Sequence, residues 1–133
     1  MAKTLSIMLI DDNPTDLFVH ERFIVHKKIS HDIQKFLGAE EALLYLHEHQ
    51  TPEEWPDLIL LDIQMPVMNG FDFLMHCEKF SLLRKSNIIM LSSSLDFGDI
   101  NRVKANPHVL ALMEKPFDID ELIDLLVING ILK

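Results

Sequence analysis

The chain contains 133 residues, 48% of them hydrophobic, which predicts a single domain (residues 1–133) with a substantial core and argues against disorder. Its formal net charge of −9 argues against nucleic acid as a direct ligand, because neutralising phosphates needs a basic patch. Cys77 is the only cysteine, no signal-peptide pattern opens the chain, and no apolar stretch is long enough to cross a bilayer. We therefore expect a cytoplasmic protein with no membrane partner.

Short apolar runs alternate with segments of helical spacing along the chain. Residues 58–61 are apolar throughout and lead into Asp62, which is typical of a strand buried on both faces. Residues 39–46 repeat apolar side chains at the spacing of an amphipathic helix. In chain order, the pattern predicts a strand at 5–10, a helix at 14–28, a strand at 32–37, a helix from 39 that ends before 51, a strand at 58–61, a helix at 71–78, a strand at 87–91, a helix at 97–104, a strand at 109–113 and a helix from about 118 that stops at 129–130.

This alternation indicates an α/β protein with a mostly parallel sheet, helices on both faces and right-handed crossovers. The second strand is less apolar than the others, as an edge strand would be. In the first helix, Leu17, Glu21 and Ile24 stand at helical spacing. Three further residues are expected to widen the apolar face, namely Phe18, Phe23 and Val25.

Polar side chains stand where the predicted strands end. They are Asp11 and Asp12 after the first strand, Asp62 after the third, Ser92 after the fourth and Lys115 after the fifth. Because ligands bind at the carboxyl ends of parallel strands, we expect these groups to share one crevice. Three carboxylates in one crevice repel each other unless a hard cation such as Mg²⁺ joins them. A carboxylate can also act as a nucleophile, so the pattern predicts a site that accepts a phosphoryl group on Asp62.

Four segments, MLIDDNP, LLLDIQMPVMNGFDFL, IIMLSSS and LMEKPFD, resemble the receiver domains of two-component response regulators, the CheY-like family. The resemblance covers the chain almost end to end. It implies a flavodoxin-like (βα)5 three-layer fold with strand order 2-1-3-4-5.

The same resemblance assigns roles to individual residues. Asp62 matches the phosphoaccepting Asp, Asp12 the direct Mg²⁺ ligand and Asp11 the acid that acts through water. The backbone carbonyl of Gln64 matches the group that completes the metal shell. Ser92 and Lys115 match the residues that contact the phosphoryl group, and the family often has a cis bond where this chain has Lys115–Pro116.

Two departures from the family pattern affect the expected switch. The family usually has Tyr or Phe three residues before the lysine, where this chain has Leu112, so an aromatic rotation is not expected. Gln64 and Ser94 occupy variable positions that tune dephosphorylation in relatives.

The resemblance implies a stand-alone response regulator without an output domain. Its expected partners are a histidine kinase or phosphotransfer protein and a downstream target reached by contact. We expect no enzymatic activity beyond its own phosphorylation and dephosphorylation. A docking or homodimer face is expected on the fourth helix, fifth strand and fifth helix, near Leu95, Phe97, Ile100 and Leu112.

Other interpretations of the same residues remain open at this stage. Asp11 and Asp12 could cap a helix, Ser92 could belong to a plain turn and Lys115 could be solvated. A Mg²⁺-dependent phosphohydrolase is a second class, although such enzymes have an acid where this chain has Gln64. A pseudo-receiver that only binds partners is a third class, and flavin binding is a fourth. The seven histidines show no ligand spacing along the sequence.

Overall fold

The structure, a computed structural model, describes residues 5–51, 53–82 and 86–132. Strands and helices alternate from the first element to the last. They are β1 (Ser6–Ile10), α1 (Pro14–His26), β2 (Asp32–Phe36), α2 (Ala39–Glu48), β3 (Leu58–Asp62), α3 (Gly70–Lys79), β4 (Asn87–Ser92), α4 (Phe97–Lys104), β5 (Val109–Glu114) and α5 (Ile119–Ile128).

Side-chain caps start four of the helices at the positions the sequence favours. Asn13 accepts from the N–H groups of Thr15 and Asp16, with Pro14 in the first helical turn. Asn69 and Asp72 form a reciprocal capping box at α3. Asp96 accepts from the Asp99 N–H at the start of α4, and Asp118 accepts from the N–H groups of Asp120 and Glu121 at the start of α5.

The five strands form one parallel sheet in the order β2-β1-β3-β4-β5, as the resemblance implied. In this register Asp62 pairs with Leu91, and Ser92 pairs with Glu114. Both β4 and β5 run one residue further than predicted, so Ser92 is the last residue of its strand. The sheet thus holds Asp62 and Ser92 on adjacent strands at one edge.

Two apolar clusters cover the two faces of the sheet, which makes three layers. One packs α2 and α3 on the sheet through residues such as Leu46 and Phe73. The other packs α1 and α5 through residues such as Ile24 and Leu122. Every residue of β3 is buried, and each fully buried Leu or Ile contributes about 1.5–3 kcal/mol relative to exposure.

The prediction for Phe18 was wrong, since its side chain is 61% exposed on the outer face of α1. Leu17 and Ile24 are buried in the cluster over the sheet and Phe23 packs against it, so the apolar face widens through Phe23 and not through Phe18. Among the described residues, no helix is both long and apolar enough to cross a membrane.

Candidate functional site

The carboxyl edge of the sheet brings three carboxylates together. Oxygens from Asp11, Asp12 and Asp62 all lie within 4.8 Å of one another. Asp11 and Asp62 are each 2% exposed, whereas Asp12 is exposed. The predicted convergence of acids from the ends of β1 and β3 is therefore present in the fold.

Asp62 is fixed by the backbone that follows it. The Gln64 N–H points at its Oδ1, 3.3 Å away, and the Gly70 N–H donates to the carbonyl of Ile63 at 2.8 Å. A Cβ on Gly70 would lie only 2.6 Å from the carbonyl oxygen of Asp62, so this contact requires glycine. The start of α3 thus closes tightly over the end of β3.

Burial and mutual repulsion make ionised carboxylates costly here. Burial raises the pKa of Asp62 to about 7, with the charge of Asp11 as the next cause. Burial also raises the pKa of Asp11, although its hydrogen bond from the Asn13 N–H opposes the shift. Lys115 lowers both values without cancelling the rise. The cluster therefore favours a bound cation.

Lys115 reaches this cluster from the end of β5. Its Nζ lies 2.9 Å from Asp16 Oδ2, 3.1 Å from Asp11 Oδ2 and 3.5 Å from Asp62 Oδ1. Burial alone lowers the pKa of Lys115, but hydrogen bonds to Asp16 and Asp11 outweigh it and raise the pKa above its usual range. The ammonium is thus held nearer to Asp16 and Asp11 than to Asp62.

Asp16 is a functional candidate that the sequence analysis missed. It lies in the first turn of α1, four residues after Asp12, and it is half-buried. Asp12 precedes the N-cap Asn13 and is not part of the helix, so helical spacing gave no signal for Asp16. Asp16 adds a fourth carboxylate beside Lys115.

Ser92 is fully buried, with its hydroxyl held by the next loop. The hydroxyl donates to the Ser94 carbonyl at 2.5 Å and accepts from the Ser94 N–H at 3.2 Å. Next to it, the Lys115 N–H donates to the Ser92 carbonyl at 2.8 Å. Ser92 therefore stands beside the acid cluster with its hydroxyl engaged elsewhere.

Two further expectations concern the residues around Lys115. The Lys115–Pro116 peptide bond is cis, as predicted. Leu112 is half-buried and packs on the α2–α3 side of the sheet, where the family usually has an aromatic ring.

The three carboxylates are suited to a hard divalent cation. They offer oxygen ligands, which Mg²⁺ prefers, and the raised pKa of Asp62 shows that their charges lack sufficient compensation. The residues present therefore fit a Mg²⁺ ion.

Comparison with known proteins places the chain in a family. The sequence profile described as "Response regulator receiver domain" matches residues 7–127. The chain belongs to this family, whose members are the receiver modules of two-component signalling and are typically non-enzymatic.

Solved structures of the family have the same fold. A two-component response regulator from Cytophaga hutchinsonii matches with a TM-score of 0.88 and 29% identity, covering 98% of both chains. A receiver protein from Dyadobacter fermentans matches with a TM-score of 0.80 and 32% identity, covering 92% of this chain and 94% of that one.

Curated relatives match at comparable sequence identity, and this chain spans only part of their length. The response regulator Rre1 from a Synechocystis strain is 31% identical over 125 residues, which span 92% of this chain and 50% of that protein. A probable methanogenesis regulatory protein from Methanothrix harundinacea, FilR2, is 26% identical over 87% of this chain and 75% of its own length. The chain spans only 30% of a protein-glutamate methylesterase from Pseudomonas syringae.

Proposed function

We propose that this receiver domain accepts a phosphoryl group on Asp62 from a phosphohistidine of a partner kinase or phosphotransfer protein, and that it signals by protein contact. One observation carries the proposal. Three carboxylates lie within 4.8 Å of one another, and Lys115 Nζ is 3.5 Å from Asp62 Oδ1. This combination supplies a nucleophile, a cation site and a fixed positive charge at one point.

Asp11, Asp12 and Asp62 would hold a Mg²⁺ ion, together with the backbone carbonyl of Gln64 that the family pattern indicates. When bound, such an ion neutralises carboxylate charge and the charge of the phosphoryl oxygens. Asp62 must be ionised to act, and its pKa of about 7 leaves about half of the side chains protonated at neutral pH without a cation. Cation binding and activation of the nucleophile are therefore linked.

The transfer is a displacement at phosphorus. A carboxylate oxygen of Asp62 forms the new O–P bond while the P–N bond of the phosphohistidine breaks. The electron pair stays on the imidazole nitrogen, which then takes a proton. The ammonium of Lys115, already among these carboxylates, stabilises the charge on the phosphoryl oxygens.

Phosphorylation then changes the contacts of Ser92 and Lys115. A phosphoryl group adds acceptor oxygens beside both residues. To donate to it, the Ser92 hydroxyl must leave the Ser94 carbonyl, which releases the loop before α4. Lys115 must likewise exchange part of its contact with Asp16 for the phosphoryl group. The two exchanges couple the site to α4 and β5.

The output surface we propose is the face formed by α4, β5 and α5. Phe97, the first residue of α4, is 85% exposed, and Leu95 in the loop before it is 46% exposed, while Ile100 and Leu112 are half-buried. Such exposed apolar side chains are suited to a protein partner or to a second copy. The loop released by Ser92 leads directly to this surface.

The test of phosphorylation uses the purified chain with Mg²⁺ and a small acyl-phosphate donor. We expect intact-mass analysis to show one added phosphoryl group per chain, no addition in Asp62→Asn and normal addition in the control Asp32→Asn, whose side chain is exposed on β2. No addition to the wild-type chain would contradict the proposal. Steady release of phosphate from varied monoesters would instead favour a phosphohydrolase.

The test of the output surface uses Phe97→Ser with Ile100→Ser. We expect weaker association with a partner or second copy, measured by sedimentation after beryllofluoride treatment. Leu44→Ser is the matched control, because Leu44 is 61% exposed on α2, away from this face. Equal association in both variants would refute the docking role.

A further inference from the structure

Two histidines that are far apart in sequence meet on the surface between α2 and α3. His47 lies in the last turn of α2 and His76 in the last turn of α3. Their Nε2 atoms are 3.1 Å apart. The pair lies on different elements from the acid cluster, so it requires a separate explanation.

The spacing of the two nitrogens matches that of neighbouring ligands on one metal ion. With metal–nitrogen distances of about 2.05 Å, nitrogens 3.1 Å apart subtend an angle of roughly 98° at the metal. This value lies between the octahedral and tetrahedral angles of about 90° and about 109°. Both imidazoles can therefore bind one ion without moving apart.

The two rings are also held in place by their surroundings. Phe80 packs on both of them, with ring centroids 4.6 Å from His76 and 5.3 Å from His47. The helices beneath are fixed by buried residues of the sheet-covering cluster, including Leu46 on α2 and Cys77 on α3. A site with rings already oriented loses little conformational freedom on binding.

Other histidines close to this pair are engaged differently. His49 stacks on Tyr45 with centroids 3.9 Å apart, and its Nδ1 is 2.8 Å from the Tyr45 carbonyl oxygen. His108 Nε2 faces Glu78, 4.0 Å away. Among these histidines, only His47 and His76 bring two ring nitrogens within 3.1 Å of each other.

We propose that His47 and His76 form a binding site for one borderline divalent transition-metal ion, namely Zn²⁺, Cu²⁺ or Ni²⁺, with water completing the coordination. Neutral imidazole nitrogen suits these ions, whereas Mg²⁺ prefers oxygen ligands, so the acid cluster and the histidine pair select different metals. In the metal-free pair one Nε2 carries the shared proton. Binding moves that proton to Nδ1 of the same ring, so both Nε2 atoms coordinate as neutral ligands. The bound ion links α2 to α3.

The first test titrates Zn²⁺ into the full chain with excess Mg²⁺ present to occupy the carboxylates. We expect one Zn²⁺ per monomer by calorimetry, and a loss of at least about tenfold in affinity in His47→Gln and in His76→Gln. His49→Gln is the matched control, the same change two residues away on α2, and should keep the affinity within about twofold.

The second measurement does not depend on variants. Copper loading of the wild-type chain should give an electron paramagnetic resonance spectrum with hyperfine structure from two equatorial imidazole nitrogens. A spectrum without it would overturn the proposal. Equal Zn²⁺ affinity in all variants would also overturn the proposal. The same holds for a stoichiometry of one Zn²⁺ per two chains accompanied by dimer formation in sedimentation.

Discussion

Two buried titratable groups give the metal-free protein opposite pH dependences. Asp62 has its pKa raised to about 7, mainly by burial. His20, 2% exposed on α1, has its pKa lowered to about 4, again mainly by burial. Its ring packs on Phe117 with centroids 4.6 Å apart, and its Nε2 has no hydrogen-bond partner within the described part of the chain.

The signs follow from which state binds the proton more tightly. Folded Asp62 holds its proton up to a pKa of about 7, against 3.8 for the usual value, so its contribution to stability grows as pH falls through 7. Folded His20 resists protonation down to about 4, against 6.5, so its contribution is lost as pH falls through 6.5. Between about pH 7.5 and about pH 5, each effect amounts to about 2 kcal/mol, and the two nearly cancel.

Single substitutions should reveal the two opposing contributions to the pH dependence of the free energy of unfolding. Relative to the wild type, Asp62→Asn should lose about 2 kcal/mol of unfolding free energy between about pH 7.5 and about pH 5. His20→Leu should gain about 2 kcal/mol over the same interval, and the double variant should return to the wild-type dependence. The pH-independent cost of repacking at His20 cancels in this difference.

Urea denaturation with a chelator present, followed by circular dichroism, measures these differences. Ile24→Val is the matched control, since it alters packing on the same helix without removing a titratable group. Its stability deficit should be the same at both pH values. If Asp62→Asn and His20→Leu keep the wild-type pH dependence, burial does not control these two groups and the reasoning fails.

Three other substitutions test the surroundings of the site. The carboxylate of Asp16 accepts a hydrogen bond from Lys115 at 2.9 Å, and Asp16→Asn removes its negative charge. Beryllofluoride should therefore bind about fivefold tighter in a titration. Weaker binding would count against the role of Asp16. Val67 is 90% exposed and has φ 68° at the centre of a γ-turn, in which the Met68 N–H donates to the Pro66 carbonyl. Val67→Asn should raise the free energy of unfolding, measured in urea, by about 1 kcal/mol. An unchanged free energy would argue against backbone strain at Val67. Gly70→Ala should lower the free energy of unfolding by about 2 kcal/mol and weaken Mg²⁺ binding in calorimetry. Gly38→Ala is the control and should do neither, because a Cβ on Gly38 meets nothing within 4 Å.

Local patterns predicted the elements well because each has a clear physical signal. The all-apolar run before Asp62 was typical of a strand buried on both faces, and every residue of β3 is buried. The helical spacing from Phe71 predicted α3, which begins one residue earlier, at Gly70, behind the capping box of Asn69 and Asp72. Strand order, by contrast, came from the family resemblance, because alternation alone fits several orders of a parallel sheet.

The errors concern side chains whose surroundings are set by tertiary contacts. Phe18 fitted the predicted apolar face of α1, but its side chain is exposed, whereas Phe23 packs against the cluster beneath the helix.

Some site residues could not be recognised from spacing along the chain. His47 and His76 are 29 positions apart and meet only because α2 and α3 pack side by side. Asp16 lies in the first turn of α1, and its contact with Lys115 depends on the position of β5. Sequence patterns indicate which face a residue occupies, whereas the fold decides what lies opposite.

The most direct measurement of the central claim locates the phosphoryl group. The chain is phosphorylated with a small acyl-phosphate donor and Mg²⁺, reduced with borohydride and mapped by peptide mass spectrometry. Borohydride converts an aspartyl phosphate to homoserine, so we predict homoserine at position 62 and unmodified Asp11, Asp12 and Asp16. Homoserine at any of those other positions, or at none, would contradict the account.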